Sequence, residues 1–488
     1  MTTTIKVLFL AVEAEPFVKI GGLADVAGSL PLALRRLPAQ ATNGVSLDVR
    51  LVLPLHKAIR AESATLHTVA DFPVYRRGRN ITAQLFMLPL SGMPVYFING
   101  EPLSGSSSVY SANPAQDRDK YTFFSMAALE MTRHLKWQPD IIHANDWHTS
   151  LSLYAVRSGH TEAGLARART LLTLHNLPYM GGEGADVLNA YGLLPLSEPS
   201  LPLWARTQPL PLGLWAADTV VPVSPTYARE IMTSEYGCGL ESFLAGRSDS
   251  VIGILNGLDV VSWDPQKDKN LAANFDAEDF SSRSANKSAL QKQLGLKEDP
   301  KVPLMAMIGR IDMQKGVDIA LESLRRLGEI PWQFVVLGTG DPKLESYLLQ
   351  LESSYPDRVR AVIRFDAALG RLIYGGADIL MMPSRYEPCG LAQMIAMRYG
   401  CVPVVRATGG LKDTVHEGST GFMFSDTDPE SMVEALQRAL YLFAISDKWL
   451  QYQHNGMIEN FSWQRSACQY ADVYRSLVPN QVPSNSAP

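Results

Sequence analysis

Short, wholly apolar runs, each giving way to a loop and then to a helical pattern, recur along this 488-residue chain. That beat restricts the fold more than any other feature. IKVLFLAV (5–12) precedes LADVAGSLPLALRRL (23–37), PDIIHA (139–144) precedes SLSLYAVRS, and TLLTLH (170–175) and ADTVVPVS (217–224) continue the series. It resumes at PLMAMIG (303–309), QFVVLG (333–338), ADILMMP (377–383) and CVPVVR (401–406). A strand apolar on both faces needs cover on both, so the pattern predicts α/β architecture with parallel sheets flanked by helices.

Between the two series, residues 253–280 are rich in Asn, Asp and Lys and lack apolar periodicity. They read as a linker between two doubly wound domains, about 1–255 and 256–460. Ligands of such sheets bind beyond the carboxyl ends of the strands, so the loops there are the candidate functional segments. The polar, Pro-containing tail 478–488 is expected to be disordered.

The net charge is −5 and the pI near 6.0, which gives no global attraction for nucleic acid; any anion site must be local. Cys238, Cys389, Cys401 and Cys468 lie far apart without a CxxC pair, against a disulfide framework or structural zinc site and in keeping with a reducing cytosol. The early VLFLAV is too short for a signal sequence and runs into Glu13 and Glu15. No apolar stretch is long enough to span a membrane, so the chain reads as cytoplasmic.

KIGGLADV (19–26) follows the first strand but matches neither GxGxxG nor GxxxxGK[ST]. Gly21 and Gly22 would let backbone N–H groups approach an anion at a helix start, with Lys19 as a point charge. Alone, a helix-start turn with a solvated lysine explains the stretch better than a phosphate site does. IGRIDMQKG (308–316) puts Arg310 and Lys315 on one loop between strand and helix. Two cations there suit a diphosphate leaving group, on which charge accumulates as its bond breaks. SRYEPCGLAQM (384–394) offers Glu387, with Gly390 opening a helix start; TGGLKDTV (408–415) and VLGTGD (336–341) add Gly-rich turns.

HANDWH (143–148) and TLHN (173–176) end neighbouring strands and gather His143, Asp146, His148 and His175. Their spacings match no zinc pattern, so no metal is expected there. Asp117-Arg118-Asp119 is a DxD that could hold a divalent ion on a diphosphate, but Arg310 and Lys315 could neutralise the same charge without metal.

In this order, KIGGLADV, HANDWHTS, TLHNLPYMG, VSPTYAREI, GILNGLD, GRIDMQKG, VLGTGDP and PSRYEPCGLAQMIAMRYG, followed by PVVRATGGLKDTV, resemble the motifs of bacterial glycogen synthases and plant-type starch synthases. The resemblance runs from about residue 5 to about 475, with 60–120 and 185–215 loosely matched. It implies a GT-B fold, two Rossmann-like domains facing a central cleft, with a C-terminal helix at 461–477 returning to the first domain. It implies a retaining transfer of glucose from ADP-glucose to the non-reducing end of an α-1,4-glucan (glycogen or a starch-like polymer), with no cofactor.

By the same resemblance, Arg310 and Lys315 are the diphosphate pair and Glu387 the essential acid near the donor sugar. Lys19, Gly21 and Gly22 fall at first-domain contacts to the donor phosphates and sugar; Asp25, Asp146 and His175 fall on the sugar and acceptor side of that domain, Asp146 and His175 as catalytic residues, and Asn256 also faces the sugar. Phe365 falls where an aromatic ring meets the adenine, and Gly338, Cys389, Gly390, Leu391, Ala392, Gly409 and Gly410 fall on donor-binding turns. Ala392 replaces the family's usual Thr, removing a hydroxyl near the phosphates. The stretch 104–124 departs from the family's usual aromatic- and Asn-containing pattern on the acceptor side.

Two rivals stand beside this reading. One is another retaining GT-B transferase, such as a UDP-glucose enzyme; those families commonly carry a second Glu eight residues after the first, where this chain has Ile395. The other is a catalytically silent glucan-binding relative, against which the presence of Lys19, Arg310, Lys315 and Glu387 speaks.

Overall fold

The computed structural model describes residues 3–59, 66–161 and 164–479. The part of the tail from residue 480 onward lies outside them. The chain divides into two compact units: residues 1–257 with 463–488, and residues 258–462. No helix among the described residues is long and apolar enough to cross a membrane.

The first unit is built on an eight-stranded sheet. Its strands are β1 (Thr4–Leu10), β2 (Ser46–Pro54), β3 (His67–Arg76), β4 (Arg79–Leu90), β5 (Met93–Gly100), β6 (Ile141–Asn145), β7 (Arg169–Leu174) and β8 (Thr219–Pro222). They lie in the order β3-β4-β5-β2-β1-β6-β7-β8. From β5 to β8 all neighbours are parallel, as the apolar runs require; Val7 of β1 sits between Val49 of β2 and Ile141 of β6. The ribbon β3–β4 is antiparallel and was not expected. Its two-residue turns are Arg77-Gly78 and Ser91-Gly92, all four with positive φ, the backbone shape that matches the twist of a tight hairpin.

The helix Trp463–Leu477 belongs to this unit, burying Trp463, Ala467, Tyr470, Ala471 and Tyr474 at helical spacing. Its Tyr474 hydroxyl meets His143 Nδ1 at 2.6 Å, and Ser466 Oγ donates to the Leu255 carbonyl at 2.6 Å.

The second unit carries a six-stranded, wholly parallel sheet. Its strands are β9 (Leu304–Ile308), β10 (Gln333–Gly338), β11 (Val359–Ile363), β12 (Ile379–Met382), β13 (Val402–Arg406) and β14 (Phe422–Phe424), in the order β11-β10-β9-β12-β13-β14. Separate apolar layers cover its two faces. Two helices here start with an Asp cap followed by Pro. Asp341 accepts from Lys343 and Leu344 N–H, and Asp428 from Ser431 N–H, the arrangement that satisfies otherwise orphaned donors.

The supposed linker is corrected by the structure. The first unit ends at Gly257, which places Asn256 in it, and residues 258–280 are built into the second unit. Leu258 and Phe275 join its core, with Trp263, Leu271 and Phe280 packed against it. Asp268 accepts from Tyr399 Oη at 2.6 Å and pairs with Arg371 at 2.8 Å, while that guanidinium lies 4.1 Å over the Trp263 ring. The segment lacks periodicity because polar turn bonds, rather than a regular apolar face, fasten it.

Counted along its own parallel strands, each unit has the order 3-2-1-4-5-6. In such sheets the chain winds to opposite sides about the first and fourth strands, leaving a crevice at their carboxyl ends. For the first unit that point lies beyond β1 and β6, for the second beyond β9 and β12.

Candidate active site

In the second unit, the loop after β9 carries Arg310 and Lys315, and the loop after β12 carries Glu387. Lys315 Nζ lies 2.5 Å from Glu387 Oε2, and Ser384 Oγ donates to the same oxygen at 3.0 Å. Glu387 is 5 % exposed. Taking a carboxylate this far out of water requires such partners. Asp312 shapes the first loop: its Oδ1 accepts the Lys315 N–H at 2.9 Å, and its Oδ2 pairs with Arg310 at 2.7 Å. Arg310 also donates to Gln314 Oε1 at 2.8 Å and is otherwise open to solvent.

Gly338, Gly409 and Gly410 are packing requirements first. A Cβ on Gly409, whose φ is +45°, would lie 1.9 Å from the Glu387 carbonyl oxygen, and one on Gly410 would lie 2.1 Å from that of Cys389. The Gly410 N–H donates to the Glu387 carbonyl at 3.0 Å. These two glycines therefore let one loop lie directly on the backbone that aims Glu387. Gly338 closes β10 against the Gly309 carbonyl, where a Cβ would approach to 1.9 Å. Gly390 has φ +74°, Leu391 caps the helix Ala392–Arg398, and buried Cys389 accepts from Gln393. Phe365 follows β11 and is 89 % exposed.

In the first unit, the loop after β1 carries Lys19, Gly21 and Gly22, and Gly21 is the N-cap of the helix Gly22–Arg35. Here the structure adds a residue to the loop. Glu13, which sequence reasoning passed over, is 1 % exposed and its Oε2 accepts the N–H groups of Ile20 (2.6 Å) and Gly21 (3.0 Å). Its Oε1 accepts from Tyr110 Oη at 3.0 Å. The protein's own carboxylate thus takes the Gly21 amide. Burial, opposed by these bonds, pushes the Glu13 carboxyl upward. Lys19 pairs with Asp25 at 2.7 Å and with Glu15 at 3.7 Å.

Asp146 opens the helix after β6 with φ +52°. Its Oδ1 accepts the His175 N–H at 2.7 Å, joining the β6 and β7 ends. Burial raises its carboxyl to about 7, and burial lowers the His175 imidazole to about 3. His175 Nε2 lies 2.9 Å from Asn145 Oδ1, and Asn145 Nδ2 donates to the Leu10 carbonyl. The amide is thereby fixed with its oxygen toward the imidazole, so Nε2 carries the proton and neutral Nδ1 is left as an acceptor. Asn256 is buried beyond β8, its Oδ1 without a hydrogen bond among the described residues.

The other two histidines of the HANDWH–TLHN group serve packing. His143 is fully buried between Tyr474 and Thr173 (2.6 and 2.7 Å), and His148 sits among Tyr110, Tyr121 and Trp147. The DxD carboxylates part company: Asp117 pairs with buried Lys120 at 2.8 Å, while Asp119 pairs with Arg76 and accepts from Tyr191. Among the described residues no group of three His, Cys, Asp or Glu side chains is placed to hold a metal.

The chain carries two Rossmann-ordered units, and the family models they match are those of glycosyltransferases. The family model described as "Starch synthase catalytic domain" matches residues 6–246, and "Glycosyl transferases group 1" matches 286–452. A glycogen synthase of Syntrophotalea carbinolica is 38% identical, covering 97% of this chain and 99% of its own. One from an Anaeromyxobacter species is 40% identical with the same coverage. The solved catalytic domain of starch synthase IV from Arabidopsis thaliana, bound to ADP and acarbose, aligns with TM-score 0.88 at 33% identity, covering 98% of this chain and 100% of that one. The chain belongs to the glycogen synthase and starch synthase family.

Proposed function

We propose that this protein transfers glucose from ADP-glucose to the non-reducing end of an α-1,4-glucan with retention of the anomeric configuration, in the cytoplasm. The observation that carries the reading is the Lys315–Glu387 pair beside Arg310 at the switch point of the second unit. As the bond from sugar to diphosphate breaks, negative charge grows on the departing ADP. Arg310 offers a planar fork for phosphate oxygens and Lys315 a compact charge. These two cations take the part a metal plays elsewhere, so the reading includes no metal and no cofactor.

In this reading Glu387, freed from part of its hold on Lys315 when the diphosphate arrives, faces the electron-poor sugar. Acceptor attack on the face that ADP leaves then retains configuration. Lys19, Gly21, Gly22, Asp25 and Asn256 are assigned to the donor, and Asp146 and His175 to catalysis at the sugar, with neutral His175 accepting a hydroxyl hydrogen bond at Nδ1. Gly338, Cys389, Gly390, Leu391, Ala392, Gly409 and Gly410 are assigned to the turns around the donor, and Phe365 to the adenine. The starch synthase solved with ADP and acarbose supports a nucleotide and a glucan as the two ligands.

Incubation with ADP-glucose labelled in its sugar and with a glycogen primer tests the reading. Label should enter the polymer in linkages that an α-1,4-specific amylase releases. A polymer left unlabelled by active, folded protein contradicts it.

A further inference from the structure

Gln314 lies between the two cations of the IGRIDMQKG loop, and its side chain spans two loops. Its Oε1 accepts from Arg310 Nη2 at 2.8 Å, and its Nε2 donates to the Tyr386 carbonyl at 3.3 Å, the residue before Glu387. Its own carbonyl accepts the Arg385 N–H at 2.8 Å, so backbone and side chain both fasten the β9 loop to the β12 loop. Arg310 is more than half exposed, and a free arginine there would sample many rotamers. Asp312 on one side and Gln314 on the other confine it.

We propose that Gln314 is a positioning residue that holds the Arg310 guanidinium ready for the donor diphosphate, in fixed register with the backbone that carries Glu387. The inference rests on the reading of Arg310 as a diphosphate ligand. Gln314 is neutral, so its contribution is orientation rather than charge. A side chain already ordered before binding does not lose that freedom on binding, and the affinity gained is of the order of one immobilised side chain, roughly 3- to 10-fold.

The test is a double-mutant cycle on ADP affinity, measured by calorimetry on the full chain. Gln314→Ala should raise the ADP Kd roughly 3- to 10-fold and raise the KM for ADP-glucose in step, with the melting temperature lowered by no more than the loss of one hydrogen bond explains. In the Arg310→Ala background the same Gln314→Ala change should add nothing. An unchanged Kd in Gln314→Ala overturns the proposal. So does an equal loss in both backgrounds, because a merely structural glutamine acts whether or not Arg310 is present. An unchanged Kd in Arg310→Ala alone is a different failure, and overturns the assignment of Arg310 itself.

Discussion

Lys315 Nζ sits 2.5 Å from Glu387 Oε2, joining the loop after β9 to the loop after β12 across the switch point of one sheet. Ser384 Oγ shares that oxygen, so one carboxylate oxygen is doubly held. The cation that neutralises Glu387 at rest is the one assigned to the diphosphate during the reaction. On that proposal, donor binding releases the carboxylate.

Lys315→Ala should therefore cut turnover by on the order of 10²-fold, the usual scale for a group that stabilises developing charge. ADP release measured under saturating donor checks it. Turnover within a few-fold of the parent would place the diphosphate elsewhere.

Gly409→Ala and Gly410→Ala should each be disabling although neither adds more than a methyl group. The new Cβ would lie 1.9 Å from the Glu387 carbonyl in the first case and 2.1 Å from that of Cys389 in the second. Backbone must move to relieve this, and a displacement of about 1 Å at a reacting group costs on the order of 10²-fold. Steady-state rates decide; a fully active Gly409→Ala enzyme would mean that Glu387 needs no exact placement.

Asp146 gives a pH prediction. Its folded value near 7 is above the ordinary aspartate range, so the fold favours the neutral carboxyl. That contribution is fully present below about pH 4 and is lost as the pH rises through about 7. Asp146→Asn removes the titration and suits the positive φ. Its stability relative to the parent should improve from pH 5 to pH 8, by at most about 3 kcal/mol at about 1.4 kcal/mol per pKa unit. Denaturant unfolding at the two pH values measures this, and an offset that does not change with pH would contradict it.

Glu13→Ala would strip the Ile20 and Gly21 amides of their acceptor, at about 1–3 kcal/mol of stability. It should also release the Lys19 loop and lower turnover roughly 10- to 100-fold. Glu13→Gln keeps an oxygen for both amides and should recover most of the loss. If Gln proves as damaging as Ala, charge rather than geometry is what Glu13 supplies.

Much of this was legible in the sequence because parallel strands declare themselves as unbroken apolar runs, and strand-end loops follow from them. Arg310, Lys315 and Glu387 stand out as candidates that way, and the fold brings Lys315 and Glu387 into contact. Glu13, Asp312, Gln314 and Ser384 were missed because their role is to bond a backbone amide, a guanidinium or a carboxylate, which leaves no spacing signature. The antiparallel ribbon was missed although Arg77-Gly78 and Ser91-Gly92 carry a hairpin signal. Residues 258–280 looked like a linker because Asp268 and Arg371 fasten them through contacts about 100 residues apart in the chain, which no local pattern records.

The most direct test of the whole account is a steady-state comparison of ADP-glucose and UDP-glucose on a glycogen primer, read as release of the nucleoside diphosphate. The account predicts release that depends on the primer, with the higher kcat/KM for ADP-glucose. Binding of glycogen without turnover of either donor would contradict it.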